Sequence, residues 1–256
     1  AIDVSLKRLA TDTPPVQSQS FLGLLESSAS SMEMVTLLLI VLAGGIISTE
    51  FSAGTVKLLL ITPHRRKKIF WAKAVVLLEI TLIAAAAVFV LSFLLCGVFT
   101  GFQGIGDMQV MTLFGRVCRF PYLLYIVLRY LVMLLPVLAY GALALMMSAV
   151  TRKSGASIAV TLLLMFGSEI VMTLISAYTA YAGGAIPGIK FLFFANTSLG
   201  NYLPSAAGGM MTAAFGTTTL LPDGTMTLGF SVVVLLVYTA CFLWIARDSF
   251  CRRDIK

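Results

Sequence analysis

Five stretches of this chain, residues 34–47, 74–98, 122–150, 156–178 and 228–246, are apolar almost without interruption. About 20 apolar residues in a helix are enough to cross the hydrocarbon core of a bilayer. The first stretch is shorter than that and ends near Gly44 and Gly45. Only 11% of the 256 residues are charged and 59% are hydrophobic, whereas an ordinary soluble domain carries about 25% charged residues. Such a chain cannot cover its own surface with polar groups. Its solvent is lipid. Inside lipid every backbone amide must bond within its own segment, so these runs read as helices. They lack the two-residue alternation of a membrane barrel strand. The expectation is an all-α polytopic membrane protein, a single transmembrane domain over 1–256 with five visible transmembrane helices.

The net charge of +7 would suggest nucleic acid in a soluble protein. Here the basic residues sit in short clusters between apolar runs, which points to orientation in a bilayer and not to nucleic acid. Lys57, Arg65, Arg66, Lys67, Lys68, Lys73, Arg152, Lys153, Arg247, Arg252, Arg253 and Lys256 fall on one side, twelve of the 18 Lys and Arg. Lys7, Arg8, Arg116, Arg119 and Lys190 fall on the other, with Arg129 inside the third run. The richer side is expected to be cytoplasmic. This gives an outer segment over 1–33, a cytoplasmic segment over 48–73 and an outer loop over 99–121. A cytoplasmic loop follows over 151–155, an outer segment over 179–227 and a cytoplasmic tail over 247–256. An outer start without a signal peptide suggests a further helix ahead of Ala1, six spans in all.

The outer segment 179–227 holds just two charges, Lys190 and Asp223, among Gly, Ala, Thr and aromatic residues. Residues 189–194 and 206–215 are expected to form short re-entrant or interfacial helices. Irregular backbone at that depth survives only where protein or water covers it.

Residues 48–73 read STEFSAGTVKLLLITPHRRKKIFWAK and form a connection longer than a turn requires. Ser48 and Thr49 can cap a following helix, with Glu50 at its positive end. Phe51, Val56, Leu59 and Leu60 can form an apolar stripe that leaves Lys57 on another face, and Pro63 ends the element. On these grounds alone it is an amphipathic interfacial helix beside a basic cluster. His64, the single histidine, sits in that basic loop and reads as solvated.

Glu50, Gly54-Thr55, Lys57-Leu58-Leu59, Pro63, Arg65-Arg66, Ile69 and Lys73 resemble a signature of the permease subunits of type-2 ATP-binding-cassette (ABC) exporters. The tail Phe250 to Lys256, FCRRDIK, resembles the ending common in those permeases. The resemblance implies that residues 48–73 form a cytoplasmic coupling helix gripped by a separate ABC ATPase subunit. Glu50, Phe51, Gly54, Thr55, Lys57, Leu58, Pro63, Arg65 and Arg66 would then make the ATPase-coupling interface. It also implies a second permease copy or paralogue in a two-plus-two assembly. Export by alternating access from the bacterial cytoplasmic membrane follows, with the C-terminus cytoplasmic and a peptide, drug or lipid as cargo. The chain itself shows no G-x(4)-G-K-(S/T) phosphate loop, G-x-S-x-G elbow or H-E-x-x-H helix. ATP and Mg are therefore expected in the partner, with no catalytic residue, metal or cofactor here.

Two charges fall inside apolar runs, Arg129 and Glu169. A charge at the bilayer centre costs about 2.5–3.5 kcal/mol or more unless paired, neutral or hydrated. A cross-helix pair between the two is one expectation; Arg129 reaching the outer surface while Glu169 faces a cavity is the other. Glu79 is expected to meet Lys73 or Lys57, Pro136 to kink the third helix, and Cys96 and Cys118 could bridge on the outer side. An ion-coupled secondary transporter is the alternative function, with Glu169 its one candidate coupling acid.

Overall fold

The computed structural model describes residues 20–49, 66–102, 106, 108–113, 116–151, 153–182, 188–203 and 227–252. It contains five helices long and apolar enough to cross a membrane, and the protein is an all-α polytopic membrane protein. The first crossing is composite: α1 (Phe21–Ser27) passes through a 3-10 turn at Ser28–Ser31 into α2 (Met32–Ile46). The others are α3 (Arg66–Thr100), α4 (Tyr122–Thr151), α5 (Ser154–Ala182) and α6 (Leu228–Arg252). Between α3 and α4, β1 (Met108–Leu113) pairs antiparallel with β2 (Arg116–Pro121), Met108 opposite Pro121 and Leu113 opposite Arg116. The stretch read as an outer loop thus carries a two-stranded ribbon. Its signal was weak: two six-residue runs, MQVMTL and RVCRFP, separated by Phe114-Gly115.

The first span begins at Phe21, not at residue 34, so 1–33 is not wholly an outer segment. Glu26 and the serines at 27, 28, 30 and 31 interrupt the apolar run and conceal the helix. In the fold they need no water. The hydroxyls of Ser27, Ser28 and Ser30 donate to the carbonyls of Leu24, Leu25 and Ser27 at 2.8, 2.8 and 2.9 Å. Ser28 also shares a 2.8 Å hydrogen bond with the Tyr130 hydroxyl. At the start, Ser20 Oγ accepts the Gly23 N–H at 3.2 Å, a side-chain N-cap.

Helix α4 is the centre of the bundle, packed against α2, α3, α5 and α6. Half of its most apolar window is buried, against 11% for α3 and α6 and 17% for α5. Lipid tails are as apolar as leucine, so membrane helices gain little from burying large aliphatic groups and associate where small residues let backbones approach. Ala139, Gly141, Ala142, Ala144, Ser148 and Ala149 form that surface on α4. A Cβ on Gly141 would lie 2.5 Å from Leu39 Cδ2. On α5 the buried stripe Ser157, Thr161, Met165 and Ser168 faces the bundle, and Ser157 Oγ donates to the Ala144 carbonyl at 3.3 Å. The helix continues through Pro136 from Tyr122 to Thr151.

The strands and helices alternate between two ends. At one end Ser48 N donates to Ser148 Oγ (3.0 Å), Ser249 Oγ to the Ala149 carbonyl (3.3 Å), and Phe70 lies against Phe250 (6.1 Å between centroids). The end of α2, the start of α3, the end of α4 and the end of α6 therefore meet there. At the other end Phe21 packs on Phe93 and Phe102.

The segment 188–203 enters the bundle as 3-10 turns at Ile189–Phe191, Phe194–Asn196 and Leu199–Tyr202, where short helices were expected at 189–194. Phe193 sits edge-on to Tyr140, Tyr238 and Phe242, side chains of the middle turns of α4 and α6. Asn196 stitches the turns by donating through Nδ2 to the Lys190 and Leu192 carbonyls at 2.9 and 2.8 Å. The irregular backbone of these turns lies against the middle turns of α4 and α6. Residues 206–215 lie outside the described residues.

Candidate functional site: the basic end of the bundle

Of the coupling-interface residues, Glu50, Phe51, Gly54, Thr55, Lys57, Leu58, Pro63 and Arg65 lie outside the described residues, and Arg66 opens α3. The structure does describe both anchors of that segment. Ser48 and Thr49 are still helical, and their hydroxyls donate back to the Gly44 and Gly45 carbonyls at 2.6 and 2.7 Å. They finish α2. Helix α3 begins well before residue 74, so Arg66 to Lys73 belong to a continuous helix and not to a loop. Lys73 Nζ then donates to the Ile46 carbonyl at 2.8 Å, so a cation caps the negative end of the first span. Phe70 is fully buried against Phe250, and Trp71 beside it is 48% exposed. Glu79 is exposed on α3, one and a half turns beyond Lys73.

The intramembrane charges are arranged differently from the pairing expected. Arg129 Nη1 donates to Glu26 Oε1 at 2.8 Å, and Glu26 is 3% exposed. Tyr122 donates its hydroxyl proton to Glu26 Oε2, and the Tyr125 hydroxyl bonds the same guanidinium. The Arg129–Glu169 pair is not formed, because the partner of Arg129 lies on α1, where no membrane helix was recognised. Glu169 instead stands exposed on α5, within electrostatic range of Glu33 on α2, itself exposed. Neither Glu26 nor Glu33 was a candidate from sequence. Their signal was an acid within a helix-length reach of apolar residues, hidden by the serine run.

Cys96, Cys241 and Cys251 carry free thiols, and the side chain of Cys118 lies outside the described residues. Among the described residues no cluster of His, Cys, Asp and Glu has the makings of a metal site. The described chemistry is that of helix ends, the buried Glu26–Arg129 pair and apolar surfaces.

The chain is similar to two proteins of Bacillus subtilis (strain 168). One is the uncharacterized protein YhcI, 29% identical over 230 residues, covering 89% of this chain and 67% of the relative. The other is the uncharacterized membrane protein YdbK, 25% identical over 243 residues, covering 93% of this chain and 85% of the relative. No solved structure matches the chain. The family model described as "protein of unknown function (DUF2705)" matches residues 9–256, and the chain belongs to that family.

Proposed function

We propose that this chain is the membrane-spanning permease subunit of an ATP-driven exporter. In this reading the basic end faces the cytoplasm, and the segment 48–73 is gripped by a separate ATPase subunit that carries ATP and Mg. Two permeases, identical or paralogous, work with two such ATPases. The observation that supports it most is the Lys73–Ile46 bond. It fastens the two ends of that segment to each other and to the first two spans. A push on the segment would then move α2 and α3 together, as alternating access requires. The resemblance of Glu50, Gly54-Thr55, Lys57 and Arg65-Arg66 to a coupling signature supplies the partner. The exposed apolar faces of α3, α5 and α6 suit a hydrophobic or amphipathic cargo and a second permease.

The test is co-purification of the tagged chain from its host in mild detergent, followed by ATPase assay. A nucleotide-binding chain that co-purifies with the intact protein, and is lost on Glu50→Arg with the permease still folded, supports the reading. A permease that elutes without an ATPase and moves solute in vesicles on an ion gradient alone overturns it.

The second reading, ion-coupled secondary transport, is favoured by one observation. Glu33 and Glu169 are two carboxylates on neighbouring membrane helices, close enough to interact. Coupling sites of such transporters are built from acids at membrane depth.

A further inference from the structure

Two cavities lie along the same seam between α3 and α6. The first, of about 210 Å³, is walled by Trp71 and Val75 of α3 and by Thr239 and Leu243 of α6, with Ala142 and Leu145 of α4 forming its floor. The second, of about 170 Å³, is lined by Lys67 of α3 and by Trp244, Arg247, Asp248 and Cys251 of α6. On α6 the lining positions 239, 243, 247 and 251 follow one another at a spacing of four, as do 67, 71 and 75 on α3. Residues so spaced share one face of a helix. The two cavities therefore follow one another along this groove, the apolar one toward the middle of the membrane and the cationic one at the basic end.

The apolar part reaches from Trp71 to Thr81, ten residues of helix or about 15 Å. That is half of a hydrocarbon core of roughly 30 Å, the depth of one leaflet. Its hydroxyls are already engaged: Thr81 donates to the Leu77 carbonyl and Thr239 to the Leu235 carbonyl, each at 2.7 Å. Their protons are committed to the helices and are not offered to a ligand. The chain's two tryptophans, Trp71 and Trp244, flank the junction of the two parts and are 48% and 69% exposed. Tryptophan settles at the level of the lipid headgroups, so the cationic part lies at headgroup height. There Lys67 and Arg247 outnumber the one carboxylate, Asp248. Basic pockets between membrane helices on that side accept anionic headgroups.

We infer that this groove is a binding site for an anionic phospholipid of the membrane, its acyl chain between α3 and α6 and its headgroup against Lys67 and Arg247. The inference does not depend on the exporter reading, since it concerns the bundle whatever drives it.

The test is native mass spectrometry of the full chain released from nanodiscs of phosphatidylcholine containing phosphatidylglycerol. The native protein is expected to retain phosphatidylglycerol in preference to phosphatidylcholine. The double variant Lys67→Gln, Arg247→Gln should lose roughly thirtyfold in that preference, while Lys67→Arg and the off-groove control Lys68→Gln retain it. Leu243→Trp, which fills the apolar part without touching charge, should release the lipid too. Equal retention of the two lipids by the native protein, or an unchanged preference in the double variant, overturns the proposal. So does disulfide formation between Cys251 residues of two copies with no bound lipid, which would assign the groove to a second copy of the chain.

Discussion

Lys73 and Ile46 are 27 residues apart in the chain, yet Lys73 Nζ stands 2.8 Å from the Ile46 carbonyl oxygen. The bond joins the second turn of α3 to the last turn of α2, so the two described ends of the stretch between them are held together at one place. The carbonyl is one of the four that a helix leaves unpaired at its C-terminus. A cation there gains from both the hydrogen bond and the helix dipole, by up to about 2 kcal/mol when partly buried. Lys73→Met keeps the aliphatic stem and removes the donor. It should lower stability in detergent by about 1–2 kcal/mol, seen as a lower midpoint in thermal unfolding. Lys68→Met, an exposed neighbour with no such carbonyl, should leave the midpoint in place.

The Glu26–Arg129 pair makes a sharper prediction. Removing one partner of a buried pair strands the other charge and costs about 3–5 kcal/mol, whereas replacing both with apolar groups is often neutral. Arg129→Met alone should therefore destabilise strongly, and Glu26→Leu with Arg129→Met should recover most of the loss. Tyr122→Phe removes one hydrogen bond to the carboxylate and should cost about 1.5–3 kcal/mol. A double-mutant cycle on unfolding in detergent reads all three. A double variant whose loss equals the sum of the losses of Arg129→Met and Glu26→Leu measured singly would show that the two side chains act separately.

The same pair shows how far local reading of the sequence reaches. The spans with uninterrupted apolar runs were legible, and α4 falls within a residue of its expected limits because nothing polar stands at its ends except the turn residues that bound it. The beginning of the first span was not legible. Glu26 finds its partner 103 residues away, and the hydroxyls of Ser27, Ser28 and Ser30 are satisfied by their own helix. Hydropathy counts such residues as exposed to water when the fold has already paired them. The packing of 188–203 on the bundle was legible in outline, since 179–227 is too poor in charge for an aqueous loop. Its conformation was not, because the 3-10 turns depend on Phe193 finding Tyr140 and Tyr238 on two other helices. For the candidate site, the basic cluster was visible in the sequence. That Lys67 of this cluster lines one cavity with Arg247 of α6 could not be read from local pattern.

Glycine packing separates two positions that look alike in the sequence. A Cβ on Gly44 would lie 2.7 Å from Ile158 Cγ1 and 3.4 Å from the Ile158 amide nitrogen, so α5 would have to move away from α2. Gly167 in α5 has nothing within 4 Å of that position. Gly44→Ala should cost about 1–3 kcal/mol through overpacking. Gly167→Ala should be neutral or stabilise by up to about 1 kcal/mol, since alanine is the better helix former. Thermal unfolding of the two variants side by side checks this. Equal effects would mean that the α2–α5 crossing is looser than described.

Glu33 and Glu169 separate the two functional readings. Both are exposed on membrane helices and lie within electrostatic range of each other. If ATP closure in a partner drives the cycle, neither carboxylate is needed to carry an ion. The double variant Glu33→Gln, Glu169→Gln should then keep ATP-driven transport within about twofold, and could gain stability by removing two like charges from lipid, each costing a few kcal/mol when ionised. If an ion gradient drives the cycle, a coupling acid cannot be replaced by an amide that neither ionises nor carries the proton, and transport should fall to background. Reconstituted vesicles, energised in turn by internal ATP with the partner subunit and by an imposed proton or sodium gradient, give the answer in one experiment. Loss of ATP-driven transport in the double variant, with assembly intact, would move these two acids from the lipid-facing surface into the transport path.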